Sequence, residues 1–158
     1  MFIGDPSKLW LGIGQTLWQL QNLEFTVAHY LVLTKVVPGD KDEAYHHLDK
    51  SFQFTLGQLI KKLKESVHVH PEIDGRLKYL TEERNWLVHR IYRMHHTDIH
   101  DVQRFTKLLD RINILGDEAI NLAKELVSLC MQWCLVKGVK EEDIDREIDR
   151  RLQERWNA

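Results

Sequence analysis

One stretch of this 158-residue chain leaves almost no choice of structure. Phe105, Ile112, Ala119, Leu126 and Trp133 recur every seven residues, and Leu108, Leu115, Leu122, Leu129 and Val136 repeat that spacing three residues later. A heptad with two apolar positions, held this long, specifies a long α-helix with a partner against its seam. The predicted helix covers 101–137. A capping residue among Thr97, Asp98 and Asp101 opens it, and Lys137-Gly138 closes it.

The rest of the chain reads as helix too, broken near Pro6, Pro38 and Pro71. A first helix is predicted over 7–36, with Ile13, Leu17, Leu20, Val27 and Leu31 inward and Trp10, Trp18 and Tyr30 beside them. Gly12 and Gly14 in this run lack the strand and third glycine of a phosphate loop, so they read as a frayed first turn. Val37-Pro38-Gly39-Asp40 is a turn by composition. A second helix follows over 42–65, with Tyr45, Leu48, Phe52, Leu56, Leu59 and Leu63 inward. A third, 72–96, starts at Pro71, whose missing N–H is no loss in a first turn. A last helix, 141–156, carries the thinner stripe Ile144, Ile148, Leu152. The expected fold is all-α, one domain over 1–158: an antiparallel four-helix bundle with an additional C-terminal helix. The tryptophans, at helical spacing, are expected in the core.

With 43% hydrophobic and 29% charged residues the chain has the make-up of a folded globular protein. A net charge of −2 gives no global attraction to nucleic acid. Between Arg76 and Arg111, however, eight Lys or Arg face five Asp or Glu, with His89, His95, His96 and His100 added. That is a local positive patch. Cys130 and Cys134 lie one turn apart in an apolar pattern and read as reduced thiols. MFIGDPSKLW lacks the pattern of a secretory signal, and no apolar run reaches the roughly 20 residues of a membrane span. A cytoplasmic protein without a membrane segment is expected.

Arg84 stands out in the third helix. Ile73, Leu77, Leu80, Leu87, Val88, Ile91 and Met94 form an apolar face, and Arg84 falls inside it. A guanidinium stays charged, and burying it unpaired costs several kcal/mol, so it must meet an anion or a cleft. Glu24 is the one carboxylate mid-way along the first helix and a candidate support for it. His89 lies about 140° around the helix and about 7.5 Å further on. Asn85, Tyr92, Arg93 and His96 share its polar strip. Spacing alone is weak, since Arg90–His95, Arg90–His96 and Arg93–His100 are similar pairs. Arg84–His89 is set apart by the arginine's core-facing position and the amide that follows it. Metal binding has less behind it. His96 with His100, His68-Val69-His70, and Glu43 with His46 are each incomplete ligand sets, so no metal or cofactor is expected.

Arg84-Asn85, followed by His89 after three further residues, resembles the motif of the HEPN superfamily, whose members are helical bundles with an arginine, a polar residue and a histidine on the third main helix. The resemblance implies a homodimer in which two such helices make one composite cleft. It also implies a metal-independent endoribonuclease with an RNA substrate, as found among toxins, phage-defence proteins and RNA processors. Some toxin relatives carry a tyrosine two residues after the histidine, modified by a nucleotidyltransferase antitoxin. Here Tyr92 stands three after His89, a departure from that branch.

The chemistry expected on this basis is attack of a ribose 2′-hydroxyl on its own 3′-phosphate, giving a 2′,3′-cyclic phosphate and a 5′-hydroxyl. His89 would move the proton, Arg84 would hold the phosphate and Asn85 would orient one of them. Arg90, Arg93, Tyr92 and His96 would contact the substrate, without reading its sequence in the case of the arginines. The competing expectation is a non-catalytic dimeric module that binds a protein or nucleotide, with Arg84 paired structurally to Glu24.

Overall fold

A computed structural model describes residues 5–35, 41–66 and 69–140, together with 142–144, 146, 149–150 and 153. Its helices are α1 (Pro6–Leu33), α2 (Lys41–Ser51), α3 (Leu56–Ser66), α4 (Pro71–His89), α5 (Ile91–His95) and α6 (Val102–Val136), with a 3-10 turn at Asp98–His100. No strand occurs among the described residues, and the all-α expectation holds. The turn expected at 37–40 and most of the helix expected at 141–156 lie outside the described residues.

The heptad stretch forms α6 as its spacing requires. Asp101 caps it, its Oδ1 accepting from the N–H groups of Gln103 and Arg104 at 2.9 and 3.1 Å. Phe105, Leu108, Ile112, Leu115, Ala119, Leu122 and Leu126 are all buried. Their principal partner is α1, which lays Thr16, Leu20, Leu23 and Val27 against them. The Thr16 hydroxyl donates to the Ile112 carbonyl at 2.9 Å. Gly116 stands beside it, where an added Cβ would come within 2.9 Å of the Thr16 hydroxyl and collide with the Gln19 amide. Gly12 likewise lies within unbroken helix and packs on Ile112 and Leu109, so the frayed turn expected there is absent.

Direction is where the structure departs most. Gly12 meets Ile112, Thr16 meets Gly116, and Tyr30 lies near Cys130. Sequence number rises together along both helices, so α1 and α6 run parallel. The cause is a break in the expected second helix. Thr55 and Gln58 form a capping box, the Thr55 N–H donating to Gln58 Oε1 at 2.9 Å, and this starts α3 as a separate helix. The added reversal turns an even number of passes into an odd one. It also resets the helical phase: Leu56, Leu59 and Leu63 are buried, whereas Tyr45 and Phe52 are exposed. Phe52 stacks instead on Phe25, ring centres 5.1 Å apart. α4 runs antiparallel to α6, with Arg76 paired to Glu118 and Glu125 and Glu83 paired to Arg111.

Other expectations also change. α4 ends at His89, Arg90 has φ −123°, and α5 continues on a new axis, leaving Val88 and Met94 exposed and Trp86 buried instead. Trp10 and Trp18 are exposed, because Gly12 and Thr16 turn the opposite side of α1 towards α6. α6 is, among the described residues, one helix long and apolar enough by length and composition to cross a membrane, where none was expected. Only 22% of that apolar window is buried within the fold, and Lys124 and Glu125 are charged residues of the same helix.

A Gly116→Leu variant tests the close approach. It should lose about 2–3 kcal/mol in a urea unfolding titration, the cost of overpacking a tight contact. Wild-type stability in that variant would mean the helices are not held so closely.

Candidate functional site

Two neighbouring groups of side chains gather where α4 and α5 meet. The first is the arginine–histidine pair. Arg84 projects between the buried Leu80 and Leu87 and reaches towards α1, its Nη2 3.7 Å from Glu24 Oε1. The same Glu24 oxygen accepts from the Leu56 N–H at 3.2 Å. One carboxylate thus serves both the arginine and the first turn of α3, where a negative group is favoured by the unpaired N–H groups. The arginine remains partly open, its side chain 29% exposed. Asn85 and His89, one turn apart near the end of α4, are exposed. The structure therefore joins Arg84 to Glu24, while His89 faces solvent.

The second group lies behind this strip. Trp86 is buried with the Arg111 guanidinium 3.6 Å from its ring centre. Arg111 is gripped by both Glu83 oxygens, at 2.8 and 2.7 Å. These hydrogen bonds push the Arg111 pKa up, against the opposing effect of burial. His95 sets its ring edge-on to Trp86 at 5.6 Å and bonds through Nδ1 to Asp98 Oδ2 at 2.7 Å. Tyr92 and His96 stand outside, exposed, their rings 5.7 Å apart. With Leu9, Trp10, Ile13, Ile91, His95, Ile99 and Leu108 they line an open cleft of about 100 Å³. Arg90 and Arg93 are exposed.

Of the residues singled out in sequence, Tyr92 and His96 come together at this cleft, and Arg84 and Glu24 come together at α1. Asn85 and His89 line neither. The sequence reading missed the Trp86–Arg111–Glu83 stack and the His95–Asp98 pair. The second had a readable signal, a histidine and a carboxylate three apart at a helix end. The first joins α4 to α6 and had none.

Other reactive groups are quiet. Burial pushes the Cys130 thiol up to about 11, with Cys134 adding to the effect and a backbone hydrogen bond opposing it. Burial raises Cys134 as well. Among the described residues no group of three His, Cys, Asp or Glu side chains is placed to hold a metal ion. His96 and His100 are divided by the turn after α5, and Glu43 pairs instead with His47 at 3.7 Å.

The chain matches no family model, no curated protein and no solved structure. Its function has to be argued from its own geometry.

Two measurements check this description. Glu24→Ala should destabilise the fold by about 1–2 kcal/mol through loss of the Leu56 N–H partner. A double-mutant cycle with Arg84→Ala should assign less than about 1 kcal/mol to the long, half-open ion pair. A coupling above about 2 kcal/mol would make Arg84 a structural residue. For the cysteines, iodoacetamide at pH 8 should leave Cys130 unmodified in native protein. A thiol with its pKa near 11 is ionised there to only about one part in a thousand. Rapid labelling at pH 8 would contradict the site as described.

Proposed function

We propose that this chain is a HEPN-like, metal-independent endoribonuclease that works as a homodimer, with α1, α3, α4 and α6 as the helices of the family's bundle. One observation carries the reading. From Arg84 to Thr97 the chain holds three arginines and three histidines and no carboxylate, and Asn85, His89, Arg90, Arg93 and His96 are exposed along that run. An acid-free cationic strip attracts a phosphate backbone through charge, independent of base sequence.

The chemistry follows from the side chains. Arg84 holds Glu24 loosely, 3.7 Å away through one nitrogen. A bound phosphate competes well for such a contact, because a charge-assisted pair of hydrogen bonds is stronger than one long ion pair. A His89 imidazole takes the proton from the 2′-hydroxyl as the 2′-oxygen bonds to phosphorus. The bond from phosphorus to the 5′-oxygen breaks, and His89 of the second copy protonates that oxygen. Arg84 stabilises charge developing on the phosphoryl oxygens. A second copy supplies the complementary proton-transfer group, since one copy carries a single, exposed His89. Exposed apolar side chains on α1, namely Leu11 and Trp18, provide surface for such an association. The cytoplasm is the compartment in which this activity finds RNA. A partner that restrains it, such as an antitoxin acting on the exposed Tyr92, fits the same reading.

A second reading has its own support: the link from Arg84 through Glu24 to the Leu56 N–H is what a structural arginine would make in a non-catalytic binding module. The test is cleavage of single-stranded RNA in the presence of EDTA, with sizing of the purified protein. The expected result is a dimer that yields cyclic phosphate ends, with activity falling at least a hundredfold in His89→Ala and Arg84→Ala while their melting curves stay close to wild type. Inactive wild-type protein, together with an Arg84→Ala variant that melts much earlier, would favour the module.

A further inference from the structure

The cleft beside α5 has a composition that the strand-cleaving chemistry does not require. Its floor is Leu9, Ile13, Ile91 and Leu108, all apolar. Its rim carries three exposed rings, Trp10, Tyr92 and His96, and the last two lie within 5.7 Å of each other. Trp10 is 65% exposed and Tyr92 77%, so neither ring is held there by core packing. Asp98, the acid nearest to Tyr92 and His96 in sequence, is bonded to His95 Nδ1 and does not line the cleft. On the chain immediately around Tyr92, Arg90 and Arg93 are exposed. The slot is small, about 100 Å³, well below the size of pockets that enclose a drug-sized ligand, and so suits a single flat ring.

Each part of this arrangement suits a different part of one ligand. Apolar walls and rings favour a flat, poorly hydrated π-system, and the exposed arginines close to Tyr92 in the chain favour an anion nearby. A lipid tail or apolar peptide would fill the slot without using the arginines. A free phosphate would use the arginines without the slot. An unstacked base with its own phosphate uses both.

We propose that this cleft is a nucleobase subsite, which takes one unstacked base of a single-stranded RNA between the Trp10 and Tyr92 sides while Arg90 and Arg93 hold the adjoining phosphate. The proposal rests on the ribonuclease reading and deepens it, since it makes single-stranded RNA the substrate and gives the cleavage site a fixed anchor. Duplex RNA, whose bases are stacked and paired, cannot offer a base to the slot without unpairing.

The experiment is fluorescence anisotropy with a short, labelled 2′-O-methyl oligonucleotide, which cannot be cleaved, compared with the same oligonucleotide carrying abasic positions. Tyr92→Ala and Trp10→Ala remove largely exposed rings and should leave the fold intact, which a melting curve verifies. Each should weaken binding of the intact strand about tenfold and leave binding of the abasic strand unchanged. Arg90→Ala with Arg93→Ala should weaken both strands equally. If the ring variants bind the intact strand as wild type does, or lose affinity equally for both strands, the subsite is overturned. The RNA reading survives that result so long as the arginine variants still lose affinity. If wild-type protein binds neither strand, both proposals fall.

Discussion

The close packing of α1 on α6 is the constraint on which the rest depends. It requires one residue without a side chain, Gly116, and one hydroxyl, that of Thr16, bonded to a carbonyl of the opposite helix. A buried hydroxyl is tolerated only because it finds that acceptor. With the two longest helices locked side by side, α3 and α4 can settle on them. The α4–α5 junction is then fixed at the end where α1 and α6 both begin. Leu9 and Ile13 of α1 and Leu108 of α6 form the floor against which Ile91 and His95 rest.

Electrostatics at the α4–α5 junction divide into two kinds. Paired groups lie on one side: Arg111 with Glu83 against Trp86, and His95 with Asp98. Unpaired cations stay outside, on the strip from Arg84 to Thr97. Arg84 stands on the boundary between them, half-open and loosely held. Its two readings, anchor and phosphate ligand, both follow from that intermediate position. A guanidinium fully enclosed by Glu24 would be structural alone, and one wholly in solvent would explain nothing about the gap in the leucine pattern.

What could be read from the sequence follows from periodicity. The heptad from Phe105 to Leu126 gave the length, cap and buried face of α6, because an uninterrupted period is a local property. The pairing of Arg84 with Glu24 followed from the cost of an unpaired buried charge. The split between α2 and α3 was missed although Thr55 and Gln58 spell a capping box. Apolar residues from Tyr45 to Leu63 happened to keep a helical period across it, and that one omission reversed the direction of α6 relative to α1. The break at Arg90 has neither proline nor glycine to announce it. Trp10 and Trp18 are expected inside from their helical spacing beside the apolar stripe, whereas the packing at Gly12 and Thr16 turns a different side of α1 inward.

The parallel course of α1 and α6 separates the two ends of the long pair. The cleft is at the pole where α1 begins, while Val136, most of the length of α6 beyond Leu108, is about 40 Å distant. A dye or spin label attached near Val136 would thus report on the whole molecule without shading the slot, whereas an affinity handle fused ahead of Pro6 would emerge beside Trp10 and compete for the surface being measured.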